Sequence, residues 1–575
     1  MRILGIEGTA WAASAAIFES DSIELSKARQ NAASDGVYEC AELDDPSDDH
    51  VFIETDAYQP DSGGIHPREA AEHMSEAIPE VVETAIDHAQ ERAVADSAPP
   101  IDAVAFSRGP GLGPCLRIVA TAARAVAQRF DVPLVGVNHM VAHLEVGRHR
   151  SGFDSPVCLN ASGANAHVLG YRNGRYRVLG ETMDTGAGNA IDKFTRHVGW
   201  QHPGGPKVEQ HALDGEYHPL PYVVKGMDFS FSGVMSAAKQ AVDDDIPVND
   251  VCRGLEETIF GMLTEVSERA LSLTGADELV LGGGVGQNQR LQGMLKEMCE
   301  QRGAEFYAPE NRFLRDNAGM IAMLGAKMYA AGDTLEIAES AIDSNFRPDE
   351  VPVTWRGRDP VGPAGGASGR RPRADDAETE LQGAEATVTI EADRVVKERN
   401  PRSYRHPALD ERLRTERTRQ EVRLTSEARH NGVPTPLVLD VDPDEARIVF
   451  QRVGAADLRE SLSADTVGAV GEHLARIHDA GFVHGDPTTR NVRVGGNETA
   501  DGRSVFLIDF GLGYATGEPE DHAMDLHVLA QSLAGTADDP EALFEAARDA
   551  YRDESDHADA VFASLTDIEG RGRYQ

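Results

Sequence analysis

Residues 160–165 read Asn160-Ala161-Ser162-Gly163-Ala164-Asn165, small and polar at the turn of a strand. Such a turn lets backbone N–H groups approach a phosphate. A related turn stands near the start of the chain, where a strand over residues 3–6 bends through Gly8 and Thr9. Two loops of this kind in one chain point to a duplicated fold with a nucleotide in the cleft between its halves.

The elements outward from these loops support that reading. Periodicity predicts helices over residues 66–92, 114–129, 138–148, 187–198 and 251–273, with a further helix opening at Asn317. Buried strands are expected at 103–107, 134–137 and 279–281, and a hairpin at Asn173-Gly174, a favoured type I′ pair. Strands alternating with amphipathic helices give an α/β class with mixed sheets. With the repeated loop, this makes a duplicated, actin-like fold the expectation for residues 1–356. Residues 357–382 carry Gly, Pro, Ser and charge without apolar periodicity and read as a flexible linker. Residues 383–575 form a second, smaller domain.

The chain has 575 residues, 41% of them hydrophobic, and a formal net charge of −41. The acid is spread along the whole chain rather than gathered in blocks, which fits a protein solvated by carboxylates in a salt-rich cytoplasm. At molar salt its self-repulsion is screened within about 3 Å. Cys40, Cys115, Cys158, Cys252 and Cys299 stand alone, against a disulfide framework or a zinc ribbon. No apolar run reaches the roughly 18 residues a membrane span needs, so a cytoplasmic protein without membrane partners is expected.

His139 and His143 stand at i and i+4, one turn apart on a helix face, and can chelate a single ion. A pair of solvent-facing or capping histidines has the same spacing. Met140 follows His139, so the glutamate of HExxH is missing and a metalloprotease is disfavoured. Asp316 sits where a strand-to-helix turn would expose it. An N,N,O set with open positions suits Zn2+ or Fe2+ as a Lewis acid.

Several motifs in order then become recognisable: residues 138–147 (NHMVAHLEVG), 160–165 (NASGAN), 184–194 (DTGAGNAIDKF), 203–207 (PGGPK), 228–233 (DFSFSG), 282–288 (GGGVGQN) and 316–322 (DNAGMIA). Together they resemble the TsaD family of tRNA N6-adenosine threonylcarbamoyltransferases across about residues 1–350. The resemblance implies transfer of threonylcarbamoyl from threonylcarbamoyl-AMP, made by a separate synthase, to N6 of adenosine 37 in ANN-decoding tRNAs. It also implies metal ligation by His139, His143 and Asp316. Asn160, Ala161, Ser162, Gly163 and Ala164 would face the phosphate and acyl part, and Asp192, Gly205, Glu209 and Asn288 would bind the adenylate. Many archaeal relatives carry a tyrosine in place of Asn160, and an amide is the weaker ligand. The related loop also often reads SGGN, where this chain has Ala164.

After the linker, His484-Gly485-Asp486 with Asn491, followed by Asp509-Phe510-Gly511, gives the metal- and hydroxyl-handling core of protein kinases. Lys397, in Val395-Val396-Lys397, supplies the strand lysine. Glu421 is the best candidate for its helix partner, with Glu416 second. The GxGxxG cover is absent, and Gly383-Ala384-Glu385-Ala386 takes its place. This domain resembles the small RIO-like kinase of the KEOPS complex, which known archaeal genes join to the transferase in this order. The resemblance implies ATP on Lys397, Mg2+ on Asn491 and Asp509, Asp486 as the active aspartate, and the other small KEOPS subunits as partners. Asp509 and Asp525 stand too close for a long activation segment, so ATP hydrolysis in the tRNA cycle, protein phosphorylation and an ATP-binding scaffold all remain open. A sugar-kinase-like activity for the first domain would leave the two histidines and Asp316 unexplained.

For tRNA, residues 394–429 hold eleven Lys/Arg against six Asp/Glu, reversing the overall balance, and Arg571 and Arg573 add two more. Phosphate contact at Arg412, Arg414 and Arg419 is the expectation, against an ordinary helix with internal ion pairs.

Overall fold

The first strand, β1 (Arg2–Glu7), is buried from Ile3 onward. Covered on both faces, it reads as a continuous apolar run rather than an alternation. A computed structural model of the chain describes residues 1–20, 49–58, 66–92, 99–172, 174–356, 379–383, 386–495 and 505–571. Cys40, Asn173, Ala384, Glu385, Gly572, Arg573 and residues 357–378 of the expected linker lie outside the described residues.

In the first half, β2 (Ala12–Glu19), β3 (His50–Ala57), β4 (Ala103–Gly109) and β5 (Leu134–Asn138) join β1 in the order β3-β2-β1-β4-β5. The first two pairings are antiparallel and the last two parallel. The second half uses β6 (Val157–Ala161), β7 (Ala166–Arg172), β8 (Arg175–Glu181), β9 (Glu278–Gly282) and β10 (Glu305–Tyr307), in the order β8-β7-β6-β9-β10. Its antiparallel and parallel pairings repeat those of the first sheet. The two sheets are one topology used twice, which is the duplication the two loops pointed to.

Helices cover both sheets. Pro67–Glu91 buries Ala70, Met74, Ala77, Ile78, Val81, Ala85 and Ala89, one stripe at helical spacing, against the first sheet. Val248–Thr274 lies against the second, in a core that includes Leu159, Phe229, Ile259 and Leu281. His139–Ser151 and Ala318–Ala331 fill the layer between the halves. Gly147 is what lets the first of these approach β9: a Cβ there would stand 2.0 Å from Val280 Cγ1.

Beyond the first unit, five antiparallel strands run in the order Thr379–Gln382, Thr387–Ile390, Arg394–Glu398, Arg447–Gln451, Val438–Asp442. Thr379–Gln382 was expected in the linker. Instead its backbone pairs with Thr387–Ile390 as an edge strand, and composition hid this because one short polar strand carries little periodicity. The helix Pro407–His430 follows, and then helices Ala464–Asp479, Pro519–Thr536, Pro540–Glu554 and Ala558–Arg571 around Leu474, Leu507, Leu529 and Tyr551.

A linker of that composition sets no geometry, yet the two units meet along a polar seam. Glu265, on the Val248–Thr274 helix, is buried against Arg405 at 2.6 Å and Arg417 at 2.9 Å. Arg402 pairs with Glu268 at 3.3 Å, and Tyr404 packs into the core of the second half. Lys225 meets Asp521 at 2.7 Å, and Arg172 donates to the carbonyls of Gly535 and Thr536. This narrows the expectation for tRNA. Arg402, Arg405 and Arg417 are taken up by the seam, Arg399 by Glu421, Arg412 by the Leu220 carbonyl and Arg414 by Asp410. Of the three arginines expected to meet phosphate, Arg419 alone is exposed. The positive charge of this stretch is met by carboxylates of both units, Glu265 and Glu268 of the first and Asp410 and Glu421 of the second. Among the described residues no helix is long and apolar enough to cross a membrane.

Candidate functional site

Asn138 ends β5 and caps the next helix, its Oδ1 accepting from the N–H of Met140 and of Val141 at 3.0 Å each. That cap fixes where the helix begins, and therefore where His139 and His143 point. Their rings lie 4.9 Å apart at 85°, and each Nε2 stands 3.4 Å from Asp316 Oδ1. Asp316 arrives from the far side, one residue before Asn317, which caps Ala318–Ala331 through Met320 N–H. Among the described residues this trio is the one group of three His, Cys, Asp or Glu whose donor atoms all fall within 4.8 Å of one another.

A fourth group, Glu7, was not singled out in the sequence. It is fully buried at the end of β1, accepts from Thr9 N–H at 2.8 Å and from Ser107 Oγ, and stands 3.2 Å from His139 Nδ1. A carboxylate on the far nitrogen sets the tautomer and turns Nε2 toward Asp316, the usual support for a ligating imidazole. Burial pushes the His139 pKa down, but Glu7 and Asp316 outweigh it and hold it at about 10. The Asp316 carboxyl is kept ionised by the two imidazoles despite its burial. Once a bound metal displaces the His139 proton, the donor set fits a divalent ion: two imidazoles, a carboxylate that stays charged, and an oriented first histidine. Asn160 Oδ1 is buried beside them without a hydrogen-bond partner.

A cavity of about 850 Å3 runs from this trio across the cleft. His139, Asp316, Asn160, Ser162, Gly163, Ala164, Asp192, Gly205, Glu209 and Asn288 all line it, so most of the expected residues are brought to one space. Two are not. His143 sits behind His139, and Ala161 is fully buried in the core with its chain paired to Ala166. Alternation along β6 turns Ala161 away from the cleft and Asn160 toward it. The turn after β6 is closed on itself: Ser162 Oγ donates to the Asn165 carbonyl at 2.7 Å and accepts from Asn165 N–H at 3.1 Å.

Asp192 accepts from Gly204 N–H at 2.8 Å and Glu209 from Gln289 N–H at 2.8 Å. Asn288 caps the helix Gln289–Arg302 and donates to Glu256 Oε1 at 2.7 Å. Burial lifts the Glu256 carboxyl to about 7. Glu256 was missed because an isolated acidic residue in a helical run carries no motif.

In the second unit, Lys397 Nζ lies 2.9 Å from Glu421 and 2.7 Å from Asp509. Glu421 is the partner, and Glu416 is exposed. Asn491 Nδ2 donates to Asp486 Oδ2 at 2.8 Å. Asp525 accepts from the N–H groups of His484 and Gly485 at 2.7 and 2.8 Å, holding the loop that presents Asp486. Burial opposes the charge on Asp509, but Lys397 and Arg399 override it and keep that carboxyl well below the usual range. Burial raises Asp486. Gly383 and Ala386 close the turn between the first two strands, Gly383 N–H donating to the Ala386 carbonyl at 2.8 Å. Arg269, on the long helix of the first unit, reaches Asp486 Oδ2 at 3.1 Å, a cross-unit contact no local pattern announces.

The class these features define is a duplicated α/β cleft protein with a His-His-Asp set, fused to a second domain of sheet and helices with a lysine–glutamate–aspartate cluster. Residues 49–323 match the family model described as TsaD: tRNA N6-adenosine threonylcarbamoyltransferase. The chain is 78% identical, over the full length of both, to a probable bifunctional tRNA threonylcarbamoyladenosine biosynthesis protein of Haloarcula marismortui. It is 67% identical to a protein of the same description from Halobacterium salinarum, over 100% of this chain and 99% of that one. It belongs to that family of bifunctional proteins. Among solved structures, full-length HypF in its phosphate- and nucleotide-bound form is similar at 11% identity and a TM-score of 0.39, over 57% of this chain and 56% of that one.

Proposed function

We propose that the actin-like first unit transfers threonylcarbamoyl from threonylcarbamoyl-AMP to N6 of adenosine 37 in ANN-decoding tRNAs, within a KEOPS-type assembly in the cytoplasm. The observation that carries this reading is the single cavity joining His139 and Asp316 to Asp192, Glu209 and Asn288. A reacting carbonyl and a nucleotide leaving group need those two ends at once. The N6 nitrogen forms a bond to the carbamoyl carbon, the bond from that carbon to the phosphate oxygen breaks, AMP leaves, and the N6 proton passes to solvent. His139, His143 and Asp316 would hold Fe2+ or Zn2+, which supplies Lewis-acid polarisation when bound. The chain's own residues orient the reactants, worth several powers of ten where the incoming amine is a poor nucleophile.

The second unit is proposed to bind ATP on Lys397 and Glu421, with Asn491 and Asp509 for Mg2+ and Asp486 as the active aspartate. Arg269 on Asp486 ties that site to the transferase unit, which favours ATP turnover linked to the tRNA cycle over phosphorylation of a separate protein. The test supplies threonylcarbamoyl-AMP and tRNA to the purified chain with the small KEOPS subunits. AMP release that depends on an ANN-decoding tRNA supports the reading. Folded, complete protein that releases none overturns it.

A further inference from the structure

The seam takes up Arg402, Arg405 and Arg417, yet the transfer proposed above needs an RNA strand at the mouth of the cavity. An adenosine whose N6 reaches His139 and Asp316 keeps its own sugar–phosphate backbone outside, so cations belong at the rim. Among the described residues that line the cavity, Arg312 and Arg315 are the two exposed cations and Glu54 is the one exposed carboxylate. Both arginines belong to the short stretch around the helical turn Asn311–Leu314, directly before Asp316. Arg315 has extended backbone, φ −82° and ψ 166°, so Asp316 goes to the histidines while Arg315 stays at the surface. Arg315 Nε donates to Gln287 Oε1 at 2.8 Å, and Gln287 Nε2 donates to the Asn311 carbonyl at 3.0 Å. Arg312 lies over the Phe313 ring, 4.6 Å from its centroid, with Nη1 3.5 Å from the Val51 carbonyl. Neither guanidinium forms an ion pair among the described residues, because the carboxylates beside them are committed elsewhere. Glu310 is bound by Arg150 at 2.5 Å, and Asp316 faces the two imidazoles.

We propose that Arg312 and Arg315 are positioning residues that grip the phosphates flanking the reacting adenosine and so seat an anticodon loop over the cavity. This assignment rests on the transferase reading above. A guanidinium suits the task in concentrated salt. Counterion release contributes little there, whereas the planar fork keeps two directed hydrogen bonds to one phosphate. With Nε held by Gln287, the fork of Arg315 is oriented before RNA arrives, so less freedom is lost on binding. Glu54, on β3, repels the same backbone and leaves the strand a preferred side to follow. The phosphate of an adenylate offers the same chemistry, so the test separates the two sources.

The full-length chain with the small KEOPS subunits is titrated with a fluorescent ANN anticodon stem-loop over a range of potassium concentrations. The same substitutions are placed on a chain carrying Lys397→Ala, which weakens nucleotide binding in the second unit, and that chain is titrated with AMP. Arg312→Gln and Arg315→Gln should each weaken the stem-loop about tenfold or more, the loss of a hydrogen bond to a charged group. In each, the slope of log affinity against log potassium becomes shallower by about 0.7–0.9, which a merely structural role would not do. Arg315→Lys keeps the charge and loses the fork, so binding weakens several-fold at the native slope. AMP affinity stays at the parent's in all three. Arg129→Glu, exposed and outside the cavity, makes a larger charge change and leaves stem-loop affinity unchanged. Identical melting transitions show that the variants fold. Stem-loop affinity within about twofold of the parent, at an unchanged slope, in a folded chain carrying both glutamines overturns the assignment and leaves the transferase reading standing. Weakened AMP with intact stem-loop binding also overturns it, giving the fork to the leaving group. An equal loss in Arg129→Glu overturns it as well, reducing the effect to overall charge. A parent assembly that binds no stem-loop overturns the transferase reading and the assignment with it.

Discussion

Replacing Glu265 by glutamine should undock the two units. The carboxylate keeps 2% of its side-chain surface exposed and meets Arg405 at 2.6 Å, Arg417 at 2.9 Å and Arg269 at 3.1 Å, while Tyr222 O–H donates to it at 2.7 Å. Burial opposes its charge, but Arg417, Arg405 and Arg269 more than compensate and hold the carboxyl well below the usual range. Glu265→Gln keeps the shape and removes the charge, leaving buried guanidiniums short of a partner. Breaking a buried pair by removing one member costs about 3–5 kcal/mol. At 1.4 kcal/mol per tenfold, docking weakens by about two to three and a half powers of ten.

Arg405 and Arg417 belong to the second unit, so the loss falls on the seam rather than on either apolar core. For a unit of this size the shift is about 6–20 °C in the midpoint of the second unit. Differential scanning calorimetry in high potassium reads it as an early transition split from the main one. The pH dependence has a defined sign. A carboxyl with a depressed folded pKa contributes stability above its unfolded value, about 4.3, and that stability is lost as pH falls below it. The native chain should thus undock on acidification, and the glutamine variant should lack this component. A single transition shifted by less than about 2 °C would refute the reasoning.

Three further outcomes are expected. Glu7→Gln should lower metal retention about 10–100-fold against a chelator, because His139 loses the acceptor that orients it; equal metal per chain by elemental mass spectrometry would count against this role. Asp486→Asn should abolish ATP turnover with ATP binding retained, measured as phosphate release beside equilibrium dialysis, and undiminished turnover would remove Asp486 from the chemistry. Asp228 is lifted to about 7, by burial first and Glu181 second, beside His527 and Gln531 of the other unit. A carboxyl raised on folding binds its proton more tightly in the folded state, so its contribution falls as pH rises from about 4 to 7, by up to about 4 kcal/mol. Asp228→Asn should therefore raise the melting midpoint at pH 8 more than at pH 5, and parallel profiles would exclude it.

Most of the first unit was legible because its signals are local. A helix was expected over 66–92 and observed over Pro67–Glu91; one was expected to open at Asn317, which proves to be the cap of Ala318–Ala331. His139, His143 and Asp316 converge as their spacing and the resemblance implied, and so do Lys397, Glu421 and Asp509. What was illegible depends on pairs far apart in the chain. Glu7 meets His139 across 132 positions, and Arg269 meets Asp486 across 217. The helix Pro407–His430 misled for the same reason. Its Arg417, with Arg402 and Arg405 just ahead of it, read as a surface for phosphate because the matching Glu265 and Glu268 sit far upstream. Ala161 was drawn into the site by a motif written as a continuous run, although the pleat of β6 turns its side chain to the core.

The most direct test of the central claim is nucleoside mass spectrometry of an ANN-decoding tRNA. The tRNA is first incubated with synthase, threonine, bicarbonate, ATP, the partner subunits and either the native chain or His139→Ala. The account predicts threonylcarbamoyladenosine with the native chain and none with the folded variant. Equal product from both would contradict it, because the chemistry would then not pass through the cleft that His139, His143 and Asp316 define.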